Sequence, residues 1–229
     1  MKTVEFDCIP STNDYARAHE AEGDMIVTAR RQTAGKGTKN RTFDSGEGGL
    51  YLTKLTHYAD FGADRVFEIM LDTSVAVCRT MEDFGLRPSI KWPNDIYVNG
   101  KKICGILIEN TFSGLSVSRS VVGIGVNINN ILPDGLRSTA TTMSEARGER
   151  LSVDAVRRSL VGHLQEHFPV EEYRGYIFFL GQEVLLIRGE DESVVTALDI
   201  DGRGRLVVRG EDGAEYAVTA GEVSLRFTS

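Results

Sequence analysis

The stretch KWPNDIYVNGKKICGILIE, residues 91–109, decides how the middle of this chain folds. Asn99-Gly100 is the strongest short-range signal of a type I′ turn, because both residues accept a positive φ. The β-branched and aromatic residues on each side of it favour strands, one over residues 96–98 and one over residues 103–108. The stretch therefore predicts a tight antiparallel hairpin.

The hairpin carries polar side chains at the end opposite its turn. Asn94, Asp95 and Lys102 fall on or beside the paired strands, so we expect them to lie near one another. An amide, a carboxylate and a primary amine on rigid elements suit a site for an anionic substrate and a metal-bound nucleotide. A surface hairpin with an ordinary turn fits the same residues, and both interpretations stay open at this point.

The overall composition is that of an ordinary globular protein, with 41% hydrophobic and 26% charged residues among 229. The formal net charge of −7 argues against general nucleic-acid binding, which needs a basic face. Positive charge is nevertheless concentrated in one short segment, which contains Arg30, Arg31, Lys36, Lys39 and Arg41. A local cationic cluster in an acidic chain predicts a small anionic ligand.

The sequence also indicates a cellular compartment. It contains no apolar run long enough to span a bilayer and no secretory signal at its start. Cys8, Cys78 and Cys104 lie far apart, without the spacing of a disulfide framework or a zinc site. We therefore expect reduced thiols in a cytoplasmic protein that does not bind membranes.

Apolar periodicity predicts the remaining elements. Strands are expected over residues 4–9, 25–29, 50–55 and 116–126, a helix capped by Ser11 or Thr12, and longer helices over residues 64–84 and 153–168. Beyond residue 180 the pattern changes to five short strands in fewer than fifty residues, which predicts a small barrel. A domain boundary near residue 178 follows.

Four segments of the chain resemble, in the same order, the motifs of the biotin protein ligases. They are STN at residues 11–13, QTAGKG with GLY at 32–37 and 49–51, the hairpin stretch, and GIGVNIN at 123–129. The resemblance covers nearly the whole chain. It implies an α+β fold: a mixed, mostly antiparallel sheet with helices over residues 1–178, of the class II synthetase-like type, and an SH3-like β-barrel over residues 179–229.

The resemblance also implies a reaction. Such an enzyme uses ATP to activate biotin as biotinyl-5′-AMP and transfers biotin to a lysine of a biotin carboxyl carrier protein, a part of acetyl-CoA carboxylase or of another biotin-dependent carboxylase. ATP and biotin are the implied substrates, with Mg²⁺ as cofactor. The catalytic part starts at the N-terminus, so we expect no winged-helix domain and no binding to DNA. The expected assembly is a monomer or a homodimer.

The resemblance assigns residues to both ligands. The residues assigned to biotin are Ser11, Thr12, Asn13, Gln32, Gly35, Lys36, Tyr51, Lys102, Gly105, Gly123 and Gly125. The residues assigned to ATP or the adenylate are Lys36, Lys39, Arg41, Phe43, Asn94, Asp95 and Asn127. Lys102 is the expected catalytic residue, because a fixed ammonium offsets the repulsion between a carboxylate and a phosphate. Asp95 is the expected Mg²⁺ contact, directly or through water, although it also suits a simple turn cap.

The glycine-rich loop departs from the family pattern. Thr38 stands where a basic residue is usual, and Asn40 stands where a glycine is usual. A bidentate arginine contact to the adenylate phosphate is thereby lost, unless Lys39 or Arg41 replaces it. We therefore expect the protein to retain its activated intermediate less tightly than other members of the family.

Two other functions remain open. One is a lipoate or octanoyl ligase on the same fold, against which residues 91–95 argue. The other is a non-catalytic biotin-binding module whose small barrel binds peptides, an idea that Thr38 and Asn40 favour. Pyrophosphate release with biotin and ATP separates these functions from a biotin ligase.

Overall fold

The computed structural model describes residues 1–38, 41–221 and 223–227. Its larger sheet has seven strands in the order β1-β2-β3-β7-β6-β5-β4. The strands are β1 (Lys2–Ile9), β2 (Met25–Gln32), β3 (Leu50–His57), β4 (Pro88–Lys91), β5 (Asp95–Val98), β6 (Lys101–Ser113) and β7 (Ser116–Val126). β1 pairs with β2 in parallel and the other neighbours are antiparallel, which confirms the mixed, mostly antiparallel sheet.

Helices cover both faces of this sheet. They are α1 (Thr12–Ala18), α2 (Val66–Asp83), α3 (Met143–Arg147), α4 (Val153–His163) and α5 (Val170–Tyr176). α1 packs on β2, β3 and β7 on one face, whereas α2, α4 and α5 pack together over the other. Successive strand residues point to opposite faces, so Met25 and Val27 meet α1 while Ile26 joins the larger core.

The predicted helix over residues 153–168 ends early, at His163. Two long-range contacts hold the following segment outside the helix. Leu164 O accepts a hydrogen bond from Lys54 Nζ at 2.5 Å, and Phe168 N donates to Asp72 Oδ1 at 3.0 Å. The periodicity of the sequence was correct for the first part of the segment, and tertiary contacts decided where the helix stops.

The second sheet lies at the C-terminal end of the chain and is antiparallel throughout, in the order β11-β10-β9-β8-β12. Its strands are β8 (Glu183–Arg188), β9 (Asp191–Ile200), β10 (Leu206–Arg209), β11 (Glu215–Val218) and β12 (Ser224–Phe227). The expected C-terminal β domain is thereby confirmed. Its buried side chains, such as Val184 and Leu186, belong to the same hydrophobic core as those of α2.

The turn between β4 and β5 is held by residues far along the chain. The Trp92 side chain is 4% exposed, and its Nε1 donates to Gly204 O at 2.9 Å. Tyr173 Oη donates to Pro93 O at 2.6 Å. These two hydrogen bonds tie the backbone just before Asp95 to α5 and to the C-terminal sheet.

The predicted hairpin is β5–β6, and its turn has φ values of 51° at Asn99 and 73° at Gly100, as a type I′ turn requires. The strand register shifts once, because Ile96 pairs with Cys104 while Tyr97 pairs with Lys102. β6 therefore contains one extra residue, a β-bulge. Within the described ranges, no helix combines the length and apolar character needed to cross a bilayer.

Candidate functional site

A narrow cleft with a cavity volume of about 50 Å³ opens on the α1 side of the large sheet. The predicted site residues that line it are Ser11, Thr12, Asn13, Gln32, Lys36, Phe43, Tyr51, Asp95, Lys102, Gly105, Gly123 and Gly125. The structure thus brings together residues from the start of α1, the glycine-rich loop and five strands.

Other predicted residues lie behind the cleft wall. Asn94 Nδ2 donates to Ile106 O at 2.7 Å, which pins the side chain against β6. Asn127 is 6% exposed, and its Oδ1 accepts a hydrogen bond from Asn130 Nδ2 at 3.1 Å. In this structure both asparagine side chains therefore bind groups of the protein itself, and their assignment to the nucleotide stays a prediction.

The glycine-rich loop contributes unequally to the cleft. Gly35 does not line the cleft. It packs closely against Ser45, because an added Cβ would lie 2.4 Å from Ser45 Oγ. The Arg41 carbonyl accepts a hydrogen bond from Gly37 N at 2.7 Å, which closes the loop tip, while the Arg41 residue is exposed. The predictions for Lys39 and Asn40 lie outside the described residues.

Lys102 and Asp95 form an ion pair at one end of the cleft. Lys102 Nζ lies 2.6 Å from Asp95 Oδ1, and both side chains are about one-third exposed. The Lys102 side chain crosses Gly105, where an added Cβ would lie 3.5 Å from its Cε. A partly desolvated ammonium in a fixed position can stabilise negative charge that develops on a substrate.

The opposite end of the cleft is polar and uncharged. Gln32 Oε1 accepts hydrogen bonds from Thr12 N at 2.8 Å and Thr12 Oγ1 at 2.9 Å. Gln32 Nε2 donates to Ser45 Oγ at 3.0 Å, and the Ser45 hydroxyl donates to Phe43 O at 2.9 Å. These bonds fix the orientation of the Gln32 amide, so the groups facing the cleft are preorganised.

Asn13 is fixed by two residues that the sequence did not single out. Thr53, fully buried on β3, donates from Oγ1 to Asn13 Oδ1 at 2.6 Å. Asn13 Nδ2 donates to Glu109 Oε2 at 3.1 Å. The period of a strand was a usable signal for Thr53, since it follows Tyr51 by two residues and shares its face. No signal in the sequence pairs Glu109 with α1.

The strand glycines accommodate protein side chains at the cleft surface. A Cβ at Gly125 would lie 2.5 Å from Phe43 Cε1, and one at Gly105 would lie 3.0 Å from Phe43 Cε2. A Cβ at Gly123 would lie 2.4 Å from Asn13 Oδ1. In this structure the Phe43 ring thus lies over two of the glycines that the resemblance assigns to biotin, Gly105 and Gly125, and its own assignment to the nucleotide stays a prediction.

A second cation lies at the mouth of the cleft. Lys36 Nζ donates to Asp14 Oδ1 at 2.7 Å, and Arg17 also pairs with Asp14. Partial burial raises the pKa of Asp14, but the hydrogen bonds from Lys36 and Arg17 outweigh this effect and hold the pKa below its usual value. Lys36 is therefore paired with a carboxylate of α1.

Tyr51 forms part of the cleft floor. Its Oη donates to Gly46 O at 2.6 Å. A Cβ at Gly49 would lie 2.2 Å from Tyr51 Oη. Burial raises the pKa of the Tyr51 phenol well above its usual value, so the hydroxyl stays neutral. Tyr51 thus supplies shape and a fixed ring beside Phe43.

The cleft suits a metal ion only when a nucleotide brings it. In the described part of the chain, no three His, Cys, Asp or Glu side chains are grouped as a metal site would need. Asp95 is the carboxylate among the described residues that line the cleft. A single carboxylate fits Mg²⁺, which keeps several waters and takes its other ligands from phosphates.

Comparison with protein families gives two matches along the chain. Residues 5–127 match the biotin/lipoate A/B protein ligase family, and residues 179–226 match the biotin protein ligase C terminal domain. The chain belongs to the biotin/lipoate A/B protein ligase family.

Two curated relatives are bifunctional ligase/repressor BirA proteins. The one from Bacillus subtilis is 34% identical over 182 residues, which cover 76% of this chain and 54% of the relative. The one from Bacillus spizizenii is 32% identical over 237 residues, which cover 93% of this chain and 71% of the relative. The chain thus spans about half to three quarters of these proteins.

Solved structures share the same fold. A biotin protein ligase from Aquifex aeolicus in complex with biotin and ATP superposes with a TM-score of 0.84 at 25% identity, over 99% of both chains. A biotin protein ligase from Leishmania major in complex with biotinyl-5-AMP gives a TM-score of 0.65 at 26% identity, over 96% of this chain and 99% of that one. The similarity therefore extends over both sheets.

Proposed function

We propose that this protein is an ATP-dependent biotin protein ligase. It joins the carboxylate of biotin to the α-phosphate of ATP with release of pyrophosphate, and then transfers biotin to a lysine of a carrier protein with release of AMP. The observation that carries this proposal is the Lys102–Asp95 pair at the charged end of a cleft whose other end is polar and uncharged. Membership of the family and the fold shared with biotin-bound and ATP-bound ligases support it.

The charged end performs the first step by electrostatics. The attacking carboxylate and the α-phosphate are both anions, so bringing them together is unfavourable in a desolvated site. The Lys102 ammonium lies between them in the proposed complex and stabilises the charge that grows on the phosphate. Asp95 holds the ammonium in place at 2.6 Å before the substrates bind. The rest of the rate enhancement comes from holding the two reactants in one orientation.

The uncharged end accounts for the choice of biotin. The ureido ring of biotin has one acceptor and two donors and carries no charge. Ser11, Thr12 and Asn13 offer hydroxyl and amide partners, all nearly buried, at the start of α1. Because a buried polar site rejects ligands that leave its groups unpaired, the aliphatic tail of lipoate or octanoate is a poor match here.

The nucleotide brings its own metal ion in this proposal. When bound, Mg²⁺ neutralises part of the phosphate charge. Asp95 is the residue that would contact it, directly or through a water molecule. Lys36 supplies further positive charge near the phosphates, and Phe43 supplies an aromatic surface.

We further propose the partner, the compartment and the domain limits. The acceptor is a biotin carboxyl carrier protein, since two curated relatives are biotin–[acetyl-CoA-carboxylase] ligases. The cytoplasm is the proposed compartment, because Cys8, Cys78 and Cys104 are free thiols. The boundary between the two domains is proposed near residue 178.

A two-step assay tests the proposal. Purified protein with biotin, ATP and Mg²⁺ should release pyrophosphate, and labelled biotin should then appear on a carrier domain of acetyl-CoA carboxylase. Turnover with lipoate or octanoate in place of biotin would instead establish the alternative ligase. Saturable biotin binding without pyrophosphate release would establish a non-catalytic binding module and overturn the proposal.

A further inference from the structure

A chain of hydrogen bonds joins the uncharged end of the cleft to its mouth. Glu109, on β6, accepts a hydrogen bond from Asn13 Nδ2 at 3.1 Å through Oε2 and one from Arg17 Nη1 at 2.5 Å through Oε1. Arg17 also pairs with Asp14, whose Oδ1 accepts from Lys36 Nζ at 2.7 Å. Glu109 thus contacts Asn13 at the uncharged end of the cleft. Arg17 and Asp14 link it to Lys36 at the mouth.

We propose that Glu109 is a positioning residue that fixes Asn13 for ligand recognition and frees Lys36 to bind the substrate phosphate. The inference rests on the proposed function, since it assumes that Asn13 contacts the uncharged ring and Lys36 the phosphate. Glu109 itself does not line the cleft.

The first part of the inference follows from the chemistry of the amide. An ionised carboxylate only accepts hydrogen bonds, so it selects the NH₂ end of Asn13. Thr53 donates to the other end of the same amide at 2.6 Å. Asn13 is 6% exposed and leans on Gly123, so it has little other freedom. Glu109 therefore determines which group of Asn13 faces a bound ligand.

The second part follows from the balance of charge. Asp14 is shared by two cations, Arg17 and Lys36, and Arg17 is in turn shared by two carboxylates, Asp14 and Glu109. When Lys36 turns toward a phosphate, Asp14 keeps a cationic partner, because Glu109 holds Arg17 at that position. Without this compensation, the departure of Lys36 would leave the Asp14 carboxylate, whose side chain is 42% exposed, without a cationic partner.

The isosteric variant Glu109→Gln tests the proposal, because glutamine presents both a donor and an acceptor and no longer selects one end of Asn13. We expect the dissociation constant for biotin alone, measured by calorimetry, to rise about tenfold, the effect of losing one partly buried charge-assisted hydrogen bond. The KM for biotin should rise with it, and the KM for ATP should rise because Lys36 is less free to leave Asp14. The control Glu68→Gln removes the exposed carboxylate that pairs with Arg65 and should leave all three constants unchanged.

A second variant keeps the test decisive if Glu109→Gln does not fold. Arg17→Lys retains the charge but cannot reach Glu109 and Asp14 together, so it should raise the KM for ATP more than that for biotin. Wild-type constants in both folded variants would overturn the inference, and so would a loss of kcat with unchanged biotin affinity. If the wild-type protein itself releases no pyrophosphate, the proposed function fails, and the biotin dissociation constant of Glu109→Gln still decides the role of Glu109 toward Asn13.

Discussion

Asp95 pairs with Gly105 across the β5–β6 hairpin, not with Cys104, which the register of the Asn99-Gly100 turn alone would place there. The bulge at Ile103 causes this shift of one residue. It places a residue without a side chain opposite the carboxylate, and the Lys102 side chain crosses that space to reach Asp95. The bulge thus accounts both for the Lys102–Asp95 ion pair and for the open space at that end of the cleft.

Removing the Lys102 ammonium should abolish the proposed first step. For Lys102→Ala we expect pyrophosphate release with biotin and ATP to fall by about 100-fold to 1000-fold, the usual effect of losing a group that stabilises transition-state charge. Lys101→Ala is the matched control, since the Lys101 amine donates to Arg137 O at 2.7 Å and does not line the cleft. Equal rates in the two variants would contradict the role given to Lys102.

Restoring a basic residue at position 38 should slow the loss of the activated intermediate. Thr38 lines the cleft, so the guanidinium of Thr38→Arg can reach a bound phosphate and pair with it in bidentate geometry. We expect biotinyl-5′-AMP to dissociate about tenfold more slowly, which corresponds to about 1.4 kcal/mol. Stopped-flow displacement of the preformed intermediate measures this rate, and no slowing would count against the interpretation of the loop.

Gly125 and Phe43 should be energetically coupled. Gly125→Ala places a methyl group 2.5 Å from the present position of Phe43 Cε1, so we expect a loss of about 1–3 kcal/mol in the free energy of unfolding from overpacking. Phe43→Ala removes the clash, and in that background Gly125→Ala should cost much less. A double-mutant cycle from urea denaturation measures the coupling; additive effects would show that the ring does not rest on this glycine.

His163 should make the stability of the protein depend on pH. Its Nε2 and Nδ1 each lie 2.9 Å from a carboxylate oxygen, of Asp83 and Glu166 respectively. Partial burial lowers the pKa of His163, but the hydrogen bonds to these carboxylates raise it more, so the net shift is upward.

Because the folded-state pKa of His163 exceeds the unfolded value of about 6.5, the stabilisation is complete below that pH and is lost as the pH rises through the folded-state pKa. We therefore expect His163→Gln to lower the free energy of unfolding by about 0.5–1 kcal/mol in mildly acidic solution and by less in alkaline solution. Urea denaturation of both proteins at the two pH values measures the difference. A gap that is constant, or that widens with pH, would be incompatible with the ion pairs.

A long apolar period in the sequence predicted its helix well, whereas a short strand without any period was not predicted. The helical period that runs from residue 64 to residue 84 gave α2, observed as Val66–Asp83, because a long apolar face leaves little choice of structure. β4 (Pro88–Lys91) was missed, since four residues beginning with a proline carry no periodicity. Its strand character comes from its pairing with β5, which no local pattern encodes.

The same distinction holds for the candidate site. Local chemistry determined the hairpin turn at Asn99-Gly100, the cap of α1 at Ser11 and the proximity of Lys102 to Asp95, because each depends on residues a few positions apart. Tertiary structure alone decided the bulge that brings Gly105 into the cleft and the contact between Asn13 and Glu109, which are 96 residues apart. The contact between Asn13 and Glu109 forms only when α1 packs on the completed sheet to which β6 belongs, since chain connectivity does not bring the two residues together.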